Sequence, residues 1–210
     1  MSKKVLAVIG LFITSTLVSE IAVAQQQGDL FIRGRAIYVM PDESATTSIG
    51  GTVGLDNKIV PEVDFTYFIA DNIGVELIAA TTKHNAVGLN TALGASANLG
   101  SVWLLPPTLS IQYHLQTGTG VKPYVGAGVN YTFFYSEKAA GGAITDFNLN
   151  DSFGFSLQAG ADFELTENMF LNVDVKKLFL KTDVIINGGG VTADLKINPW
   201  IFGVGIGRKF

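Results

Sequence analysis

Ser152-Phe153-Gly154-Phe155-Ser156-Leu157-Gln158-Ala159-Gly160-Ala161-Asp162-Phe163-Glu164-Leu165 alternates throughout between apolar side chains and small, polar or charged ones. A period of two is the repeat of an extended strand, whose successive side chains point to opposite faces. A helix would bring apolar residues back every three or four positions. One face of this strand carries Phe153, Phe155, Leu157, Ala159, Ala161 and Phe163; the other carries Gly154, Ser156, Gln158, Gly160, Asp162 and Glu164. A strand divided in this way needs an apolar medium on one side and a polar one on the other.

The same division recurs in seven more segments, 29–39, 59–69, 72–82, 102–115, 123–135, 168–182 and 192–210. In the second, Val63, Phe65, Tyr67 and Ile69 oppose Glu62, Asp64, Thr66 and Phe68. In the third, Ile73, Val75, Leu77 and Ala79 oppose Gly74, Glu76, Ile78 and Ala80. Two places depart from the pattern. Lys177-Leu178-Phe179-Leu180 breaks the alternation, which is expected at a bulge. Pro199 interrupts the last segment and leaves the facing of Leu195 and Ile197 open.

Hydrophobic residues make up 48% of the chain, yet no segment from Gln25 onward approaches the roughly 18 consecutive apolar residues of a membrane helix. Strands with one lipid-facing side reconcile the two facts. The expected fold is therefore all-β, an eight-stranded antiparallel transmembrane β-barrel. A soluble eight-stranded barrel would place apolar residues inside and charges outside. Here Arg35, Asp64, Glu76, Asp162 and Asp174 share their face with Gln, Ser, Asn and Gly instead.

The connections alternate in length. Short ones, around Ala70-Asp71, 116–122 and Thr166-Glu167, follow the even strands; long Gly-, Ser- and Thr-rich ones, 40–58, 83–101, 136–151 and 183–191, follow the odd strands. Outer-membrane barrels combine short periplasmic turns with long external loops. The expected location is the cell outer membrane, with lipid and lipopolysaccharide as surroundings.

Residues 1–24 stand apart. Lys3 and Lys4 precede an apolar run from Val5 to Val18, and Ala22-Val23-Ala24 is an Ala-x-Ala cleavage pattern. This order reads as a secretory signal peptide rather than a membrane anchor, because the run is too short to span. The barrel domain is then 25–210. Losing Lys3, Lys4 and Glu20 makes it one unit more negative than the −4 of the full chain. A mildly acidic chain is a poor partner for nucleic acid, whose phosphates call for clustered Lys and Arg. The absence of cysteine removes disulfides, thiolate metal sites and cysteine nucleophiles together.

Three stretches carry a family resemblance: Asp71-Asn72-Ile73-Gly74-Val75-Glu76-Leu77, Leu105-Pro106-Pro107-Thr108-Leu109, and Pro123-Tyr124-Val125-Gly126-Ala127-Gly128-Val129-Asn130-Tyr131. With Asn198-Pro199-Trp200 and the terminal Phe210, they make residues 28–210 resemble the OmpW/AlkL family of small outer-membrane barrels. The resemblance implies a channel for passive uptake of small hydrophobic molecules. By the matching third-strand motif, Ile78 takes the place of the family's apolar constriction residue. Phe210 resembles a terminal assembly signal, which implies the outer-membrane assembly machinery as a partner. Arg208 departs from the aromatic usual two places before that Phe. Lys176 stands where some relatives carry a large lumen-facing aromatic.

An eight-stranded barrel has room only for its own side chains or one small ligand. The inward Arg33, Arg35, Asp64, Glu76, Gln112, Asn130, Asp162 and Asp174 are expected to form a polar plug, with Lys176 also facing the lumen. Ile37, Val39, Ile78, Ala80 and Phe134 are expected to line the external half. These apolar residues form either a vestibule with lateral release or ordinary packing. Pro106 and Pro107 cannot donate to a ladder, and mark either a lateral gap or a plain strand start. The alternative function is a structural or adhesive barrel acting through its surface loops.

No enzyme activity, cofactor or metal site is expected. His84 falls in an external loop, with Ser101 and Glu137 as the conceivable partners, and His114 points inward near the periplasmic end. HExxH, zinc-ligand spacing and a nucleophile elbow are absent. Gly188-Gly189-Gly190 is a loop tip rather than a phosphate cradle, because no helix is expected after it.

Overall fold

The computed structural model describes residues 25–210; the signal-peptide reading of residues 1–24 lies outside the described residues. β1 (Leu30–Met40) is followed by β2 (Ser44–Thr47), β3 (Thr52–Leu55), β4 (Lys58–Ala70) and β5 (Ile73–Ala80). The chain continues through β6 (Thr82–Thr91), β7 (Gly94–Leu105), β8 (Thr108–His114), β9 (Val121–Ala139) and β10 (Phe147–Leu149). β11 (Ser152–Thr166), β12 (Met169–Phe179), β13 (Lys181–Ile186), β14 (Val191–Lys196) and β15 (Trp200–Lys209) complete it.

Eight of these strands close a ring. β1, β4, β5, β8, β9, β11, β12 and β15 pair in that order, each antiparallel to the next, and β15 returns to β1 from Phe31↔Lys209 to Met40↔Trp200. Closure gives every barrel strand a hydrogen-bonded partner on each side and leaves no open sheet edge, as a bilayer interior demands. Phe65, Ile111, Phe155 and Val204 stand exposed on the outside, while Arg33, Asp64, Glu76 and Gln112 are fully buried within. Lipid, rather than water, is the solvent that suits such a surface.

The bulge expected at Lys177–Leu180 is absent. The β11–β12 register runs unbroken from Phe155↔Phe179 to Glu164↔Phe170, and its shift lies at the other end, between Glu164 and Thr166. Leu178 and Leu180 are buried inward positions like Lys176 before them. Geometric alternation persists there, while chemical alternation stops because the lumen itself has become apolar. Leu195 and Ile197, whose facing the sequence left open, are both buried.

The long connections are built largely of strand rather than loop. β6 and β7 form a hairpin above β5 and β8; β7 pairs with the upper part of β9, and β3 adds to β6. Across the ring, β10, β13, β14 and β2 make a four-stranded sheet above β12 and β15. Val53, Leu99, Val102, Val184 and Ala193 turn inward from these extensions and join one apolar core. Their period-two signal is thinned by the Gly, Ser and Thr between them.

Inward glycines make room for large neighbours. A Cβ on Gly160 would stand 2.5 Å from the Tyr124 hydroxyl, and one on Gly207 would overlap the Phe170 ring. Small residues opposite large ones let a narrow barrel fill its interior.

Candidate functional site: a layered lumen

The lumen is stacked in three layers. Nearest the termini, Phe31 packs on Phe68 and Phe170 with ring centres 4.9 and 4.8 Å apart, and His114 meets Phe68 at 5.0 Å. The Arg33 guanidinium lies 5.6 Å from the ring centres of Phe31, Tyr124 and Phe170, which join this aromatic layer to the charges above it. Phe31 on β1 and Phe170 on β12 are distant in the chain, and closure of the ring is what brings them into one layer.

The middle layer is a network of ions. Arg33 Nη1 lies 2.8 Å from Asp64 Oδ1, and Arg33 Nη2 lies 3.2 Å from Asp162 Oδ2. Arg35 reaches Asp64 at 2.7 Å, Glu62 at 2.8 Å and Glu76 at 3.3 Å. Lys176 Nζ stands 3.1 Å from Glu62 Oε1 and 2.9 Å from Asp174 Oδ1. Gln158 Nε2 donates to Glu76 at 2.7 Å, and the Tyr124 hydroxyl donates to Asp174 at 2.8 Å. The structure thus brings Arg35, Asp64, Glu76 and Lys176 together. Ions stripped of water are tolerated only when paired, and here each has an opposite charge in contact. Glu62 was absent from the expected plug, although its position two residues before Asp64 on the same face is the signal that would have included it.

The external layer is apolar. A cavity of about 50 Å³ is lined by Ile37, Val39, Ile78, Leu104, Leu178 and Ile201 among others, with Glu62, Lys176, Thr108 and Thr132 at its polar side. Phe134 is not on this lining; it is buried in the surrounding apolar core with Ile37 and Val39. Pro106 borders the cavity and Pro107 does not.

The wall beside the cavity changes partners. The β5–β8 ladder ends at Ile78↔Thr108, and the β6–β7 ladder begins at Thr82↔Leu104. Residues 79–81 and 105–107 lie between the two. The β4–β5 ladder ends at Glu62↔Ala80, and no ladder joins β4 to β6 above it among the described residues. Asn130 Nδ2 holds the diproline in place, 3.1 Å from the Pro106 carbonyl and 3.2 Å from that of Pro107.

His84 is on β6 and buried, not in a solvated loop. Its Nδ1 lies 2.7 Å from the Asp56 carbonyl and its Nε2 3.3 Å from Thr82 Oγ1; these partners replace the Ser101 and Glu137 considered from sequence. Burial pushes its imidazole below the ordinary value, against the opposing pull of Asp56. At the terminus, the Arg208 guanidinium sits 5.0 Å from the Phe210 ring centre, so the substituted position still packs on the final aromatic.

Known proteins share this architecture. A model of the OmpW family matches residues 26–210. An uncharacterized outer-membrane protein of Sinorhizobium fredii, y4mB, is 39% identical over 85% of this chain and 79% of its own length. Outer membrane protein W of Escherichia coli is 34% identical over 99% of this chain and 100% of its own. The crystal structure of OprG from Pseudomonas aeruginosa superposes with a TM-score of 0.83 at 31% identity, covering 89% of this chain and 98% of that one. A closed barrel with a lipid-facing exterior, matched over nearly its whole described length, places this chain in the OmpW family of outer-membrane proteins.

Proposed function

We propose that the barrel is a passive uptake channel for small hydrophobic molecules, which collect in the external vestibule and leave sideways into the bilayer. The observation that carries this reading is an apolar cavity set directly against a plug of paired charges. A solute leaving water for Ile37, Val39 and Ile78 gains about 25 cal/mol for each Å² of apolar surface buried. Going deeper, it would have to separate buried ion pairs, at a loss of several kcal/mol. Straight passage is therefore opposed.

The lateral path is not opposed in the same way. Residues 79–81 and 105–107 lie between ladders, so a solute passing there breaks few strand-to-strand hydrogen bonds. Pro106 and Pro107 ensure that two of the backbone positions have no N–H to leave unpaired.

Ile78→Asp tests the reading by placing a carboxylate in the cavity wall. Uptake of a small hydrophobic probe by cells expressing the chain should fall severalfold, with folding, judged by heat-modifiable gel mobility, retained. Val75→Ala, on the lipid face, is the control. Undiminished uptake by the Ile78→Asp variant would reduce Ile78 to packing and remove the vestibule.

A further inference from the structure

We propose that the vestibule selects neutral solutes with an apolar body and one hydrogen-bond-accepting oxygen, such as ketones, ethers and esters. It does so over hydrocarbons of equal size and over carboxylate anions. The inference rests on the uptake reading above and names the class of solute that the same site takes.

The selecting group is Lys176. Its ammonium carries three N–H donors and no acceptor. Two contacts are made, to Glu62 Oε1 at 3.1 Å and Asp174 Oδ1 at 2.9 Å, and the side chain borders the cavity. One donor therefore remains for whatever occupies the cavity. The neighbouring hydroxyls do not compete as donors: Thr132 Oγ1 donates to Asn130 Oδ1 at 2.7 Å, and Thr108 Oγ1 to the Pro106 carbonyl at 3.1 Å. His84 has both ring nitrogens engaged. A hydrocarbon fills the apolar part and leaves the lysine donor unmade, whereas an acceptor oxygen at the leading end completes it.

The charge of the plug decides against anions. Nearest the cavity, Glu62, Asp64, Glu76 and Asp174 are met by Arg33, Arg35 and Lys176, four carboxylates to three cations. Negative charge is in excess just beneath the cavity, and a further carboxylate brought there meets it with little solvent screening. A neutral oxygen accepts from Lys176 without that repulsion.

The test compares 2-heptanone, octane and heptanoate, which are similar in size. Initial uptake is measured in cells expressing the full chain, corrected for cells lacking it and for each solute's partition into lipid. The expected result is a preference of about tenfold for the ketone over octane, the worth of one charge-assisted hydrogen bond, with heptanoate near background. Lys176→Met combined with Glu62→Gln removes one charge of each sign, and should bring the ketone-to-octane ratio close to one. If that variant fails to fold, the three-solute comparison on the unaltered chain decides alone. Octane equal to or above the ketone, heptanoate matching the ketone, or a ratio unchanged in the folded variant would each overturn the proposal. Ile78→Asp in the same assay separates the two readings. Lost uptake with no ketone preference in the unaltered chain leaves the vestibule and removes the selection; full uptake by the variant removes the vestibule itself.

Discussion

Glu62 and Lys176 meet across the lumen, Nζ 3.1 Å from Oε1, although β1 and β15 stand between their strands in the ring. The same Glu62 oxygen lies 2.8 Å from Arg35 Nε. One carboxylate thus ties β4 to β1 and β12 together. Ladder hydrogen bonds join only neighbouring strands, so contacts of this kind fix the barrel's cross-section from within.

The excess of carboxylates over cations in this network makes its two signs unequal. Arg35→Leu takes from Glu62, Asp64 and Glu76 one of the two cations each of them meets, leaving Lys176 to the first and Arg33 to the others, and should cost about 3–5 kcal/mol, the range for removing one partner of a buried pair. Glu76→Gln lowers the excess negative charge and keeps an acceptor for Arg35, so its loss should be below about 1 kcal/mol. Unfolding temperatures in detergent, read by heat-modifiable mobility, check the ranking. Equal losses would mean that the charge excess is not felt.

Protease added to intact cells should cut at the tips of the external extensions. The β6–β7 hairpin turns between Thr91 and Gly94, where Leu93 is exposed and Asn90 and Gly94 take positive φ. The flanking strands are paired and should resist. The Thr166–Met169 turn, on the periplasmic side, should be spared. Cleavage confined to that turn would reverse the orientation.

His84 couples the upper wall to pH. Burial lowers its affinity for protons relative to the unfolded chain, so the unfolded state binds more protons as pH falls through the ordinary value of 6.5. Stability contributed at this site is complete above 6.5 and is lost below it. Asp56, whose carboxyl is held below 3.8, with hydrogen bonds from Lys58 and Asn85 outweighing its partial burial, acts in a lower and separate window. Once the intrinsic slowing of exchange at lower pH is divided out, the protection of the Asn85 and Thr82 amides should therefore fall between pH 7 and 5, and His84→Gln should flatten the change. An identical pH profile in that variant would assign the effect elsewhere.

Legibility in the sequence followed the environment of each strand. Where lipid lay outside and charge inside, as along Phe153–Glu164, chemistry and geometry alternated together and the strand could be read directly. Above the charged layer both faces become apolar or both become small. Leu178 and Leu180 then looked like a break, and Val53, Leu99 and Val184 were hidden among loop-like residues. The plug was partly legible because charged residues on a lipid-spanning strand have only the lumen to occupy. The identity of each partner was not, since Glu62 with Lys176 and Arg33 with Asp162 are joined by barrel closure rather than by spacing.

Asn130 is the clasp of the diproline segment, and its removal gives the most local of these tests. The Pro106 and Pro107 carbonyls lie where the two ladders change partners, and Asn130 Nδ2 approaches them at 3.1 and 3.2 Å while also reaching Thr108 Oγ1 at 2.9 Å. The Tyr131 amide donates to the Pro107 carbonyl at 3.2 Å and remains as the other tether. Asn130→Leu deletes the side-chain donors, together with the Oδ1 that accepts from the Thr132 hydroxyl, without touching the ring of ladders, so the loss should be about 1–3 kcal/mol, that of leaving buried polar groups unpaired. Amide exchange at Thr108 and Tyr131 should rise severalfold, while that of β12 and β15, across the barrel, stays unchanged. If the wall beside β5 is the exit, uptake of a small hydrophobic probe should rise in the same variant. Exchange that is unaltered at Thr108 and Tyr131 would show that the segment is held by the ladders alone, and faster exchange without faster uptake would place the exit elsewhere.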